Sequence, residues 1–297
     1  MRFGRSFNSF NRRVAAFATV GLMMASAASA SGEGNPSAQR IISVGGTITE
    51  ILFALGAEKR IVAVDSTSGY PSEASSKPDV GYMRALSAEG ILAQKPDLIL
   101  AEDGSGPPPV LEILSASAIP MVTIATPPQG EAIGQKIRDV GVAVGLTDEA
   151  EALATRTESE LQALSQDVSK IAEPRKRVLF VLSLANGRIM AGGAGTEAAE
   201  IIRMAGGINA APEINGYKPL SDEAVIAAGP DVILTMTRGN HQTSADEVFA
   251  LPAFQTTPAA ASKSLISMDG LLLLGFGPRT PEAARELSKQ LYQGGTN

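Results

Sequence analysis

Leu86-Ser-Ala-Glu-Gly-Ile-Leu-Ala-Gln-Lys-Pro-Asp-Leu-Ile-Leu100 aligns without a gap on Leu220-Ser-Asp-Glu-Ala-Val-Ile-Ala-Ala-Gly-Pro-Asp-Val-Ile-Leu234, with eight of fifteen positions identical. Each copy reads as a serine able to cap a short helix, a Pro-Asp turn, and an apolar strand. Upstream, Gly46-Thr47 with Glu50-Ile51-Leu52 is echoed by Gly195-Thr196 with Glu200-Ile201-Ile202. The chain therefore carries one plan twice.

Around these segments short apolar strands alternate with helical patterns. Ile41 to Val44, Ile61 to Val64, Leu98 to Ala101 and Met121 to Ile124 are expected strands of the first half, with helices over Thr47 to Leu55, Ser87 to Ala93, Pro109 to Ser115 and Glu131 to Val144. The second half repeats the alternation from Arg177 to Tyr292. Such alternation predicts an α/β fold with mainly parallel sheets covered by helices. Between the halves, Thr147 to Ile171 holds no strand; Thr147 is a candidate N-cap and Pro174 lies just past the end. A helix of that length spans roughly 35 Å, about one domain diameter, and reads as a rigid connector. The expected organisation is a signal peptide at 1–30, an N-terminal lobe at 31–146, a connecting helix at 147–173 and a C-terminal lobe at 174–297. Open α/β sheets bind ligands beyond the carboxyl ends of their strands, so the cleft between the lobes is the expected site.

Composition narrows the chemistry. The 297 residues include one His (His241), no Cys and no Trp. Multi-histidine zinc sites, Cys/His sites and iron–sulfur clusters are excluded, as are cysteine nucleophiles. The N-terminus has Arg2, Arg5, Arg12 and Arg13, an apolar stretch from Val14 to Ala25, and Ala28-Ser29-Ala30. That is the pattern of a secretory signal peptide cleaved after Ala30. Arg12-Arg13 leaves the Tat route open beside Sec. The apolar stretch is short for a membrane span. Without residues 1–30, which hold four Arg and no acid, 21 basic and 31 acidic residues remain, a net charge of −10. An acidic surface disfavours nucleic acid and anionic membrane as partners.

In the cleft the candidates follow strands or precede helices: Gly45-Gly46-Thr47, Tyr70-Pro71 and Gly81-Tyr82-Met83-Arg84 in the first lobe, and Asn186-Gly187-Arg188, Gly192 to Thr196 and Thr237 to His241 in the second. Tyr82 with Arg84 is the most informative. A phenol titrates near ~10, so it ligates an ion that stabilises phenolate. Ferric iron does so, and tyrosine is an axial ligand of haem. A guanidinium two residues on favours phenolate or pairs with a propionate, and in an extended segment the two side chains project together. On spacing alone the segment reads first as an ordinary amphipathic loop tyrosine.

The segment Gly81-Tyr82-Met83-Arg84-Ala85-Leu86-Ser87-Ala88-Glu89-Gly90-Ile91-Leu92 closely resembles haem-binding periplasmic proteins of ATP-driven haem importers. Ser43 to Ile51, Gly216-Tyr217-Lys218-Pro219-Leu220-Ser221 and Gly275-Phe276-Gly277-Pro278-Arg279 resemble the same family. The resemblance covers about residues 40–292 and implies two Rossmann-like lobes bridged by one helix. It implies that Tyr82 is the axial ligand of ferric haem b and that Arg84 partners the tyrosine or a propionate. Gly46 and Thr47 join the haem-binding set; some members add a second ligand, a His from the other lobe, but His241 aligns with no family ligand and reads first as a solvent-exposed loop residue, so one haem held by Tyr82 alone is the expectation, with His241 the candidate for any second ligand. Glu89 and Glu223, equivalent in the repeat, are implied to dock onto arginines of an ABC permease, which works with its ATPase; Glu50 and Glu200 are a second matched pair. The helix-dipole reading of Glu89 and Glu223 as first-turn acids holds beside this. The implied protein is a periplasmic, monomeric, non-enzymatic carrier.

Two other readings stay in view. One is a corrinoid- or ferric-siderophore-binding protein of the same fold. The other is a secreted α/β enzyme, which would have to build a triad on His241 and has no Gly-x-Ser-x-Gly elbow. Gly192 to Thr196 is glycine-rich but lacks the lysine of a phosphate loop.

Overall fold

The computed structural model describes residues 32–185, 188–237 and 243–292. The expected export segment, Asn186-Gly187 and His241 lie outside the described residues. The first lobe runs β1 (Ile41–Val44), α1 (Gly46–Ala54), β2 (Ile61–Val64), α2 (Ala88–Ala93), β3 (Leu98–Glu102), α3 (Pro108–Ser115), β4 (Met121–Ile124) and α4 (Ile133–Val144). Helix α5 (Thr147–Val168) follows. The second lobe runs β5 (Arg177–Ala185), β6 (Arg188–Gly192), α6 (Glu197–Met204), β7 (Ile208–Asn209), β8 (Tyr217–Leu220), α7 (Asp222–Ala228) and β9 (Val232–Thr237). It closes with α8 (Ala245–Phe249), α9 (Pro252–Gln255), α10 (Pro258–Ala261), β10 (Leu265–Asp269), α11 (Gly270–Leu274) and α12 (Thr280–Tyr292).

The first sheet has four strands in the order β2-β1-β3-β4, all parallel. Its central strands β1 and β3 are buried on both faces, as helices on both sides of a parallel sheet require. The second sheet has six strands, β10-β9-β5-β6-β8 with β7 beside β5. Here β5 and β6 are antiparallel, as are β6 and β8. The strand before α6 is thus an antiparallel partner of β5, unlike β1 before α1, whose neighbours are both parallel. Leu271 to Leu274, strand-sized by its apolar length, is helical because Asp269 caps it, its carboxylate accepting from the Leu272 N–H at 2.8 Å.

The duplication runs deeper than the aligned residues. Ser87 and Ser221 cap α2 and α7 through the Gly90 and Ala224 amides. Both helices end in left-handed backbone, at Lys95 (φ 50°) and Gly229 (φ 51°). Asp97 accepts from the Arg40 amide at 2.8 Å, and Asp231 from the Arg177 amide at 2.8 Å, so each Pro-Asp turn seats the entry of the neighbouring strand. The side chains of Arg40 and Arg177 in turn donate to Lys95 and Ala228 carbonyls at the helix ends. In space β1 corresponds to β5 and β3 to β9.

Helix α5 has 22 residues, about 33 Å of rise, and ends at Val168, three residues short of the expected Ile171. Thr147 is its first residue; Leu146 occupies the cap position, with no side-chain hydrogen bond. Ala150, Leu153, Ala154, Thr157, Leu164 and Val168 form its buried stripe at helical spacing. One continuous core holds α1 and α4 residues of the first lobe, the α5 stripe, and Phe180, Ile201 and Leu287 of the second. No described helix is long and apolar enough to cross a membrane. Phe180 is fully buried in this core and meets Tyr217 edge-on at 6.3 Å. Phe180→Ala is expected to lower the free energy of unfolding by about 3–5 kcal/mol in urea titration. A loss below about 1 kcal/mol would show that the site collapses around the deletion.

Candidate ligand cleft

The loop that carries Tyr82 is assembled at the carboxyl end of β2 around one buried acid. Asp65 is 1% exposed; its carboxylate accepts from the Gly45 amide (2.9 Å), the Thr67 amide (3.0 Å) and the Thr67 and Ser68 hydroxyls. A buried charge is tolerable when its lone pairs are filled in this way. Gly45 (φ 112°) lies in backbone that a side chain rarely adopts, and a Cβ there would strike Glu102. The Asp65 loop then receives the ligand loop: the Ser66 amide donates to Gly81 O at 3.0 Å, and the Val80 amide to Val64 O at 2.9 Å.

From Gly81 the chain makes a tight turn, closed by the Ala85 amide on Tyr82 O at 2.7 Å, with the Gly106 amide on Met83 O at 2.8 Å. The condition under which Tyr82 and Arg84 would project together as alternate residues of an extended segment is not met, because the chain turns here. Met83 and Leu86 bury into the first lobe as anchors, and Tyr82, 46% exposed, and Arg84 both face solvent. No hydrogen bond or ring contact with a described residue engages either side chain. The other three tyrosines are occupied. Tyr292 donates to Gly206 O at 2.7 Å, Tyr217 donates to Glu197 Oε2 at 3.0 Å, and the Tyr70 ring is covered by Arg279 at 3.4 Å. Burial, and then the Glu197 charge, push the Tyr217 phenol upward, which suits a hydrogen-bond donor and disfavours phenolate.

The other expected residues separate into two groups. Glu89 and Glu223 are exposed in the first turns of α2 and α7, at matching places of the two lobes, free of ion pairs among the described residues. The Glu223 carboxyl is held below its usual range by the amide and Ser221 hydrogen bonds of that helix start. Gly46, Thr47 and Glu50 instead lie where the lobes meet and are buried. The Thr47 hydroxyl donates to Gly275 O at 2.7 Å, and Leu271 packs against Gly46 closely enough to leave no room for a Cβ. They are not on the open surface around Tyr82. Glu50 pairs with Arg279 at 2.7 Å. Its repeat partner Glu200 pairs with Arg203 at 2.6 Å and accepts from the Gly130 amide of the first lobe at 3.3 Å. Both acids of this second pair are spent between or beside the lobes.

Sequence reading passed over two residues of the same junction. Lys136 on α4 is 3% exposed and donates to Phe276 O at 3.0 Å in the second lobe. Burial depresses its ammonium, opposed by the charges of Glu102, Glu197 and Glu50. Glu102, at the carboxyl end of β3, has its Oε1 buried without a hydrogen bond, and burial drives its carboxyl up against the pull of Lys136. A lysine on the buried face of a helix, at i+3 from Ile133, was the available signal. A hollow of about 430 Å³ lined by Leu161, Leu164, Val168, Arg203 and Met204 lies along α5 and shares none of the residues around Tyr82.

The geometry defines a carrier of the two-lobed α/β class. The chain belongs to the periplasmic binding protein family, whose profile matches residues 41–271. Two solved structures are close to it. The periplasmic heme-binding protein RhuT from Roseiflexus sp. RS-1 is 38% identical, with a TM-score of 0.83, covering 88% of this chain and 100% of that one. The periplasmic heme-binding protein BhuT in complex with two hemes is 37% identical, with a TM-score of 0.81, covering 86% and 98%. Over 256 residues the chain is 26% identical to the ABC transporter substrate-binding lipoprotein YvrC of Bacillus subtilis, covering 86% of this chain and 80% of YvrC. A shorter likeness, 40% over 85 residues, joins it to the vitamin B12-binding protein of Yersinia pestis, of which it spans 30%. The family and these structural neighbours are binding proteins, not enzymes.

The raised carboxyl of Glu102 has a defined consequence. Between its ordinary value of 4.5 and its raised value the folded state binds more protons than the unfolded state, so this group's cost to stability grows as pH climbs through that window. Glu102→Gln is expected to gain stability relative to the parent as pH rises from 4.5, in urea unfolding at a series of pH values. A difference that does not change with pH would remove Glu102 from the titration.

Proposed function

We propose that the protein captures ferric haem b in the periplasm and delivers it to an inner-membrane ABC importer. The observation that carries this is Tyr82: an exposed phenol without a side-chain partner among the described residues, at the carboxyl end of the first-lobe sheet. The near-absence of His and Cys leaves tyrosine as the natural ligand type for haem iron, and the likeness to RhuT and BhuT supports the same cargo. In this reading Tyr82 ligates the iron as phenolate. Arg84, on the same turn, stabilises that phenolate or pairs with a propionate. Gly46 and Thr47 act indirectly by seating the second lobe. His241 is the one imidazole available as a second ligand.

The same reading assigns residues 1–30 to a cleaved export signal, 31–146 and 174–297 to the two lobes, and 147–173 to the connector of a monomeric carrier. Glu89 and Glu223 dock the lobes onto the permease, whose ATPase drives release. Two acids at equivalent places on two lobes suit a partner built from two like subunits.

Hemin titration followed by absorption spectroscopy tests the cargo. The parent is expected to give a shifted Soret band with the weak charge-transfer features of tyrosinate ligation. Tyr82→Phe, which removes only the oxygen, is expected to lose those features and at least about tenfold in affinity. A native spectrum from the variant would sink the ligand assignment. The B12-type likeness motivates one rival, and tight binding of cyanocobalamin with no response to hemin would replace haem by a corrinoid. For docking, the double variant Glu89→Ala, Glu223→Ala is expected to bind hemin normally and to stop hemin-stimulated ATP hydrolysis by the reconstituted importer. Undiminished stimulation would remove both acids from the docking surface.

A further inference from the structure

The motif Gly275-Phe276-Gly277-Pro278-Arg279 is given no contact with haem in the proposed function, yet four first-lobe side chains from three elements converge on it. Thr47 of α1 donates to Gly275 O at 2.7 Å. Lys136 of α4 donates to Phe276 O at 3.0 Å and reaches Gly275 O at 3.4 Å. Glu50 of α1 accepts from Arg279 twice, from Nη2 at 2.7 Å and from the amide at 3.3 Å. Tyr70, on the loop after β2, lies under the same guanidinium at 3.4 Å. The turn fits its seat closely. A Cβ on Gly277 would come within 2.9 Å of Thr47 Cγ2, and one on Gly275 within 3.0 Å of Thr47 Oγ1. Phe276 is 2% exposed and holds φ 52°, a left-handed conformation that a bulky residue adopts only where its surroundings over-determine it.

These contacts share a property. The carbonyls of Gly275 and Phe276 and the carboxylate of Glu50 belong to opposite lobes from their partners, so rotating one lobe against the other within the contact would leave a buried lysine, a buried carboxylate and two carbonyls misaligned out of water. Unpaired buried polar groups are costly, and buried charges more so. We propose that Gly275–Arg279 is a latch that fixes the angle between the lobes, with Arg279 as its central positioning residue, whatever the cleft carries. The long helix then limits the separation of the lobes, while the latch sets their orientation. Through Tyr70 the latch also grips the loop that follows Asp65, which is hydrogen-bonded to the Tyr82 turn at Gly81. The second lobe thereby influences the candidate ligand without touching it.

The chain has no cysteine, so spin labels go where they are placed. Ser75→Cys in the first lobe and Thr256→Cys in the second are exposed positions away from the turn. Pulsed-dipolar distance measurement on the ligand-free protein is expected to give one narrow distribution in the parent background. Arg279→Gln, and separately Lys136→Met, are expected to broaden or shift it. Tyr70→Phe, which keeps the ring under the guanidinium, is expected to stay near the parent, whereas Tyr70→Leu moves towards Arg279→Gln. Circular dichroism with melting checks that each variant is folded; should Arg279→Gln fail to fold, Lys136→Met and Tyr70→Leu carry the test. A parent-like distribution in the folded charge variants overturns the latch. None of these distances depends on hemin, so failure of hemin to bind the parent would sink the proposed cargo and leave the latch standing.

Discussion

Glu50 and Arg279 meet at 2.7 Å from opposite lobes, with side-chain exposures of 7% and 20%. Removing one partner of a buried pair typically costs about 3–5 kcal/mol, because the other charge is left in a poor solvent. That asymmetry makes the pair a constraint more than a source of stability. Glu50 sits on α1, the first helix after the first strand, which packs on β1 and α4 of its own lobe and bonds the Gly275–Arg279 turn of the other. Its burial is tolerable only while the second lobe stays in contact. The same holds for Lys136, whose ammonium is depressed by burial and satisfied largely from across the junction. The lobes are thus coupled by polar groups that each would find expensive to leave alone.

On the open side the logic is reversed. The turn that displays Tyr82 is held by its neighbours: the Gly81 and Met83 carbonyls accept from the Ser66 and Gly106 amides, the Gly81 amide donates to Asp79, and Met83 and Leu86 anchor the turn in the core. The phenol itself is left unused among the described residues. Asp65 makes this possible by filling the turn between strand and loop with hydrogen bonds, so that the loop needs nothing from the side chain it displays. Functional side chains are disproportionately carried on loops that a rigid scaffold positions, and this loop has that construction.

Much of this was legible in the sequence, and what was not has a physical reason. The repeat from Leu86 and from Leu220 reveals serine-capped helices because a cap is local, its bonding groups three residues apart, whereas the bonds that its Pro-Asp turns make to Arg40 and Arg177 cross more than fifty residues and leave no local signal. The α5 stripe was as local as the caps. The antiparallel pairing of β5 with β6 has a local signal in Asn186-Gly187 between two apolar runs, but the strand–helix alternation on either side of it points to parallel neighbours. The bend at Tyr82 was missed because its closing bonds come partly from Gly106, in a loop after the next strand. The junction was the least legible part. Thr47 bonds a residue 228 positions away and Glu50 one 229 positions away, and no periodicity reports such a contact.

Glu50 and Glu200 show how the duplication misleads and informs at once. Two acids at equivalent positions of two lobes invite a shared role at an external partner, and Glu89 with Glu223 keep that exposure. A residue on a lobe's cleft-side helix, however, has a mirror surface to meet within the same chain. Glu50 reaches Arg279, and Glu200 reaches the Gly130 amide, so each acid crosses to the other half. Duplication followed by face-to-face packing turns equivalent residues into reciprocal contacts, as an isologous interface does between two copies of one subunit. Exposure and pairing separate the two kinds of pair: Glu89 and Glu223 stay in solvent and are available to a second protein, whereas Glu50, buried, and Glu200, half-buried, have already found partners within the chain.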